Sequence, residues 1–181
     1  MDRLVTITFL EMTSREQIVP LMAEQRLDVR RAGIPSPELN RFLYATVGAD
    51  WSWHERLGWD RERWTLWLDR PEVETWIGYL DGTPAGYFEL EAQTGGAVEI
   101  VYFGLLPAFI GRGLGPELLD AAVQRAWSLA KGRIWVHTCT LDHPRALVSY
   151  QDRGFRVYDA VEKMERLPDV PATPWPTATR K

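Results

Sequence analysis

The sequence has little of what marks several large protein classes. Cysteine occurs once, as Cys139, so no internal disulfide can form. None is needed, because a chain of 181 residues buries about two-thirds of its unfolded surface on folding. Cys139 lies in the apolar run 134–141, where a buried structural thiol is expected rather than a reactive one. Basic residues are in deficit, with 21 Lys and Arg against 25 Asp and Glu and a formal net charge of −4. That balance lacks the basic face that binds a phosphate backbone, so no nucleic-acid partner is expected. Long apolar runs are absent too. The longest, Val101–Gly111, is broken by Pro107 and too short to span a bilayer. The opening Met1-Asp2-Arg3-Leu4 lacks the basic and then apolar pattern of a secretory signal. A soluble, cytoplasmic protein with no membrane partner follows as the expectation. There are only three histidines, and His54 and His137 stand in no spacing that suggests a triad or a metal site, so no metal is expected.

What is present reads as one domain over residues 1–167, followed by a tail over 168–181 with four prolines and little to bury, expected to be mobile. Leu4–Leu10 reads as a first strand. Ser14 is placed to cap a following helical segment, with Pro20 bending or breaking it before Leu21–Arg31. After the breaker Gly33-Ile34-Pro35, Ser36 caps a helix with Pro37 at its first position, running to about Val47. A short helix is expected within the tryptophan-rich stretch 50–70. Thr75–Leu80 and Ala85–Gln93 flank Asp81-Gly82, a tight-hairpin signal, and Gly95-Gly96 turns the chain into Ala97–Leu105. Gly113–Lys131 carries an apolar stripe at helical spacing, Leu114, Leu118, Ala122, Ala126 and Leu129, and Gly132 ends it. Arg133–Leu141 is a fifth strand. A helix over Pro144–Arg153, with Asp142 or His143 near its cap, precedes two last strands, Phe155–Tyr158 and Val161–Leu167, around a turn at Asp159. Strands do not alternate with helices throughout, so the order argues for an α+β fold and against a doubly wound one.

The most informative segment is the glycine-rich turn after the fourth strand. Glycines at 111, 113 and 115 leave the backbone uncovered where a helix begins, and the first N–H groups of that helix have no partners within it. Such a turn either cradles an anion, reinforced by the helix dipole, or serves packing alone. No Lys-Ser or Lys-Thr closes it as a P-loop, and it lacks the βαβ context of a dinucleotide fold.

The run Ile110-Gly111-Arg112-Gly113-Leu114-Gly115 resembles the acetyl-CoA signature of the GNAT superfamily, Gln/Arg-x-x-Gly-x-Gly/Ala opening a helix, with Ile110 where Gln or Arg is usual. A second run resembles the family pattern Asn-x-x-Ala-x-x-x-Tyr-x-x-x-Gly-Phe. Ala146, Tyr150, Gly154 and Phe155 fall at its spacing, and His143 takes the Asn position. The resemblance spans roughly 75–167. It implies a central mixed, mostly antiparallel sheet of about seven strands with flanking helices, splayed between the fourth and fifth strands. It further implies that the backbone at Phe103, Gly104 and Leu105 pairs with the pantetheine arm of acetyl-CoA like an added strand. The loop Ile110–Gly115 would then hold the pyrophosphate, with His143 and Ala146 as cofactor neighbours.

The implied activity is an acyl-CoA-dependent N-acetyltransferase acting on a primary amine by direct attack. In the family a tyrosine at the place of Tyr150 protonates the leaving thiolate, and a phenol with an ordinary pKa of about 10 is able to donate at neutral pH. Glu99 matches in register a glutamate of the histone acetyltransferase branch, which makes it the candidate base. By strand alternation Glu99, Val101 and Phe103 share a face, where a carboxylate among apolar groups gains a raised pKa. Glu89, Glu91 or a relaying water are rivals, and a solvated or salt-bridged Glu99 is the plain alternative. A backbone N–H near Phe103–Leu105 would steady the oxyanion. A non-catalytic acyl-CoA-binding module of the same fold remains the alternative function, and homodimerisation stays open. Five of the nine tryptophans lie between Trp51 and Trp67. They either cover the sheet or a dimer contact, or hold an acceptor ammonium by cation–π contact.

Overall fold

The computed structural model describes residues 2–22 and 24–167. The expected Pro-rich tail lies outside the described residues. The chain folds as an α+β structure around a seven-stranded sheet in the order β2-β3-β4-β5-β6-β1-β7. The strands are β1 (Asp2–Met12), β2 (Asp28–Arg31), β3 (Val73–Leu80), β4 (Thr83–Ala92), β5 (Ala97–Leu105), β6 (Arg133–Cys139) and β7 (Arg156–Arg166). Every neighbouring pair is antiparallel except β5 and β6, which run parallel. Four helices flank the sheet, α1 (Pro37–Val47), α2 (Arg61–Leu68), α3 (Gly115–Leu129) and α4 (Ala146–Asp152).

Local signals account for most boundaries. The Ser36 side chain accepts from Leu39 N, and Pro37 opens α1 where its missing N–H costs nothing. Asp60 caps α2 in the same way through Arg63 N. Leu80 pairs with Thr83 across Asp81 (φ 49°) and Gly82 (φ 77°), both in the left-handed region that a two-residue hairpin loop requires. The predicted stripe of α3 is buried at Leu114, Leu118, Ala122 and Ala126, and packs with Phe88, Leu90, Val98 and Ile100 into the main core. On the opposite face, α1 and α2 bury Leu43, Tyr44, Val47, Trp64 and Leu68 against β3 to β5.

Three expectations are corrected. Among the described residues of Ser14–Arg31 no α-helix forms. Ser14 and Gln17 close a capping box on a single 3-10 turn, Arg15–Gln17. Pro20 then has no N–H to continue a helix, and β2 pairs with β3 at the sheet edge. The two last strands are one continuous strand. Phe9 pairs with Asp159 and Leu10 with Val157, so the break expected at Asp159 is a β-bulge at Tyr158. A bulge also interrupts β5, where Glu89 faces Tyr102 and Leu90 faces Ile100, leaving Val101 unpaired. Alternation therefore fails across it. Phe103 packs with Ile100 in the main core, while Tyr102 packs on the α1–α2 side. Glu99, adjacent to Ile100, lies on the face of Tyr102 rather than that of Phe103.

Gly104 faces Val47 of α1 across a close approach of β5 to that helix. A Cβ there would stand 2.5 Å from Val47 Cγ1. Val47 is β-branched and buried, so it has little freedom to retreat. Gly104→Ala is expected to cost about 1–3 kcal/mol by overpacking, read as a lowered thermal midpoint. Gly33→Ala, with no atom within 4 Å of the added methyl, should leave the midpoint unchanged.

Candidate active site

The site begins where the sheet parts. β5 and β6 pair only from Ala97 with Arg133 to Ile100 with Val136. β6 then stays with β1 as far as Cys139 opposite Ile7. β5, turned by its bulge, stays with β4 to Leu105 opposite Gly86. Along Val101–Leu105 the β6-facing edge of β5 has no strand partner among the described residues. Phe103, Gly104 and Leu105 stand on that freed edge.

From it the chain runs through a 3-10 turn, Pro107–Phe109, into the glycine loop. Gly111 (φ 81°) and Gly113 (φ 75°) adopt the left-handed backbone that other residues resist, and space for a side chain at Gly111 is left open. Helix α3 has Leu114 as its N-cap, no side-chain cap and a proline in its first turn. Its first intrahelical bond is Leu118 N to Leu114 O, so the N–H groups of Leu114, Gly115 and Glu117 have no partner within it. These donors and the uncovered loop fit a pyrophosphate. Ile110 is exposed on the loop, and the Arg112 guanidinium lies over the Phe109 ring, 5.2 Å from its centroid.

Helix α4 closes the other arm of the fork. It starts without a side-chain cap, but His143 Nδ1 accepts from Arg145 N at 3.1 Å. Asp142 is tied back to β6, accepting from Thr138 Oγ1 at 2.7 Å and Cys139 N at 3.0 Å. Tyr150 is buried, edge-on to Phe103 at 6.1 Å and to Phe155 at 5.9 Å. Ala146 packs against the same core. Burial, with the Asp142 charge added, raises the Tyr150 phenol above its usual value, so it stays protonated. The structure thus brings Tyr150 to the freed edge of β5. His143 instead meets Trp51, edge-on at 4.9 Å. The Cys139 thiol is half-buried, and burial and Asp142 push it up, away from the thiolate.

On the opposite face Glu99 is buried at the base of the fork. It accepts from Gln93 Nε2 at 3.0 Å, and its other oxygen lies 3.4 Å from His137 Nδ1. His137 is the first residue of β6 past the last β5–β6 pair, and its side chain is 43% exposed. Bonding to Glu99 raises its pKa, against burial, with Asp142 and Glu55 adding to the rise. Rings surround the pair, Phe9 lying 5.9 Å and Trp135 6.1 Å from the imidazole. No sequence signal marks His137, because its partner is fixed by sheet register and not by spacing. The rival carboxylates are committed elsewhere. Glu89 is bonded to Arg56 and Glu91 to Arg70.

The tryptophan cluster already holds a cation, and it is the chain's own. The Arg56 guanidinium lies 4.3 Å from the Trp67 ring, 4.5 Å from Tyr102, 4.6 Å from Trp59 and 5.7 Å from Trp64. It donates to Glu89 Oε1 at 2.8 Å, which also accepts from Trp67 Nε1 at 3.0 Å. The loop carrying Arg56 crosses the fork. Trp53 packs on Tyr102 of β5 at 4.8 Å and donates to Asp142, beyond β6, at 3.3 Å, while His54 meets Glu165 of β7 at 3.5 Å. Among the described residues no cluster of side chains suits a metal, and no helix is long and apolar enough to cross a membrane.

Comparison with known proteins bears on the family and the fold. The model of the acetyltransferase (GNAT) family matches residues 40–155. No curated protein matches the chain. Among solved structures, the chain resembles a GCN5-related N-acetyltransferase from Sphaerobacter thermophilus at a TM-score of 0.68 and 14% identity, covering 93% of this chain and 54% of that one. It resembles one from Kribbella flavida at 0.62 and 17%, covering 89% and 58%. A Bacillus subtilis acetyltransferase in complex with CoA gives 0.57 and 20%, covering 74% and 78%. The chain therefore spans little more than half the length of the first two.

Two outcomes are expected. Arg56→Met leaves Glu89 buried without its charge partner, at a cost of about 3–5 kcal/mol. Burial then holds the Glu89 carboxyl above its unfolded value. A raised folded pKa favours the protonated state, so the variant should be most stable in acid and lose stability as pH rises through the folded value, seen in unfolding at pH 5 and pH 8. Second, the NMR titration midpoint of His137 should lie above 6.5 and fall back toward it in Glu99→Gln.

Proposed function

The chain belongs to the acetyltransferase (GNAT) family, and we propose that it is an N-acetyltransferase carrying an acetyl group from acetyl-CoA to a primary amine of a small molecule or protein. One observation carries this reading. The freed edge of β5 leads into an uncapped, glycine-lined helix start at one end, and Tyr150 of α4 lies against that same edge at Phe103. An extended thiol arm with a phosphate at one end and a thioester at the other matches that layout.

Bound acetyl-CoA supplies a thioester carbonyl that an amine attacks, with release of the thiol. The residues of the chain do the rest. The backbone along Phe103–Leu105 pairs with the pantetheine amides and aims an N–H at the carbonyl oxygen as charge builds there. The loop Ile110–Gly115 receives the phosphates. Tyr150, kept protonated by burial, gives its proton to the sulfur as the carbon–sulfur bond breaks. Glu99 takes the proton of the amine through His137 or a water. Of the three candidate carboxylates it alone is not paired to an arginine. Asp142, Glu55 and Glu99 around His137 favour an acceptor that arrives as an ammonium.

Thermal unfolding with acetyl-CoA, followed by thiol release over a panel of amines, tests the reading. Ligand at a hundred times its dissociation constant should add about 2.7 kcal/mol, several degrees in midpoint. Tyr150→Phe should keep that shift and lower turnover about a hundredfold. No shift in folded protein removes the acetyl-CoA assignment. A shift with Tyr150→Phe turning over normally removes the acid role, and a shift with no turnover of any amine favours a binding module.

A further inference from the structure

We propose that Arg26, two residues before β2, is a positioning residue of the phosphate cradle, acting with Glu117 as a clamp that orients the glycine loop and cancels a charge that would repel the ligand. The inference rests on the acetyl-CoA reading of the same loop. Arg26 precedes the residues matched by the family model, and no sequence signal marks it.

Glu117 occupies the first turn of α3, beside the cradle, and its side chain is only 2% exposed. An ionised carboxylate there opposes any anion the loop receives. Four donors saturate it. Arg26 N and Leu27 N donate to Oε2 at 2.7 and 3.1 Å, and Arg26 Nε and Nη2 donate to Oε1 at 2.9 and 2.7 Å. These bonds hold Glu117 below the usual carboxylate range, so its charge is permanent at neutral pH and Arg26 is what balances it. The same guanidinium reaches the loop, donating to Arg112 O at 3.2 Å and Gly113 O at 3.1 Å. In a trans peptide the N–H points opposite to the C=O. With both carbonyls held toward Arg26, the N–H groups of Gly113 and Leu114 are turned away from it. The clamp thus sets donor direction and local charge together. It does so where the usual Gln or Arg of the family pattern is replaced by the apolar Ile110, 37% exposed.

The test is calorimetric titration of the full chain with CoA and with pantetheine, which lacks the phosphates. Arg26→Gln should weaken CoA about tenfold or more, the scale of a lost charge-assisted hydrogen bond, while pantetheine changes less than about twofold. Arg26→Lys keeps the charge beside Glu117, and hence the fold, but gives up the fork to the loop carbonyls. It should show a smaller loss, again confined to CoA, and it decides the matter if the glutamine variant does not fold. Wild-type CoA affinity in a folded Arg26→Lys and Arg26→Gln pair, or equal proportional losses for both ligands, overturns the clamp. Absence of CoA binding by the unaltered chain would instead overturn the acetyl-CoA reading, and the clamp with it.

Discussion

Among the described residues β5 and β6 are the one parallel pair of neighbours in the sheet, and their pairing ends at Ile100 and Val136. A parallel pair needs a crossover, here α3, which leaves from the end of β5 through the glycine loop and returns to the start of β6. If pairing continued to Leu105, the backbone groups of β5 would all be satisfied and the loop would open onto a closed sheet edge. The bulge at Val101 prevents that by adding twist to β5 at the point of parting. Each half of the sheet then follows its own support. β5 is held to β4 and to α1 through the close approach at Gly104. β6 is held to β1, which is held in turn to β7 along its length. The open edge costs hydrogen bonds that a simple sheet would make, and its retention is what an added strand of ligand would offset.

The face carrying Glu99 shows how the protein spends its aromatic residues. A loop from Trp51 to Asp60 with no regular structure of its own needs cohesion from side chains. Burying Arg56 with Glu89 supplies it only because the surroundings compensate for lost water. Rings contribute their faces to the guanidinium, and Trp67 adds an N–H to the carboxylate. Once that site is filled internally, the rings around it are a fixed wall for whatever approaches the fork. Glu99, Asp142 and Glu55 act together on His137 on this side of the fork.

Much of this was legible in the sequence because it rests on local rules. Ser36-Pro37, Asp81-Gly82, the α3 stripe and the Gly111–Gly115 turn each dictate their geometry through capping, left-handed backbone or periodicity, and each appears where expected. The misses arise where long-range contacts decide. β2 forms because β3 offers an edge, against a segment that reads as helical. The bulges at Val101 and Tyr158 are set by pairing register, and the first of them moves Glu99 to the face away from Phe103. His137 gains meaning only from Glu99 across the fork, and Arg26 only from Glu117, ninety-one residues on. Arg56 had no signature among the tryptophans. A cage described only by its walls does not say whether its cation comes from the protein.

The charge balance gives the last constraint. A chain with a formal charge of −4 is a poor general attractor for a polyanion. The phosphate recognition proposed for this chain has to be short-ranged, through backbone donors and the partial charge of a helix start, which fade within a turn. Short range in turn demands that nearby carboxylates be neutralised and that each donor point at the ligand before it arrives, since a flexible glycine loop would lose its gain to ordering. Glu117 fixed at the start of α3 makes this demand acute. A buried carboxylate tying Arg26 and Leu27 onto the helix stabilises the fold, yet unbalanced it would work against the cradle above it. One guanidinium bonded both to that carboxylate and to the loop carbonyls meets the two requirements with a single side chain.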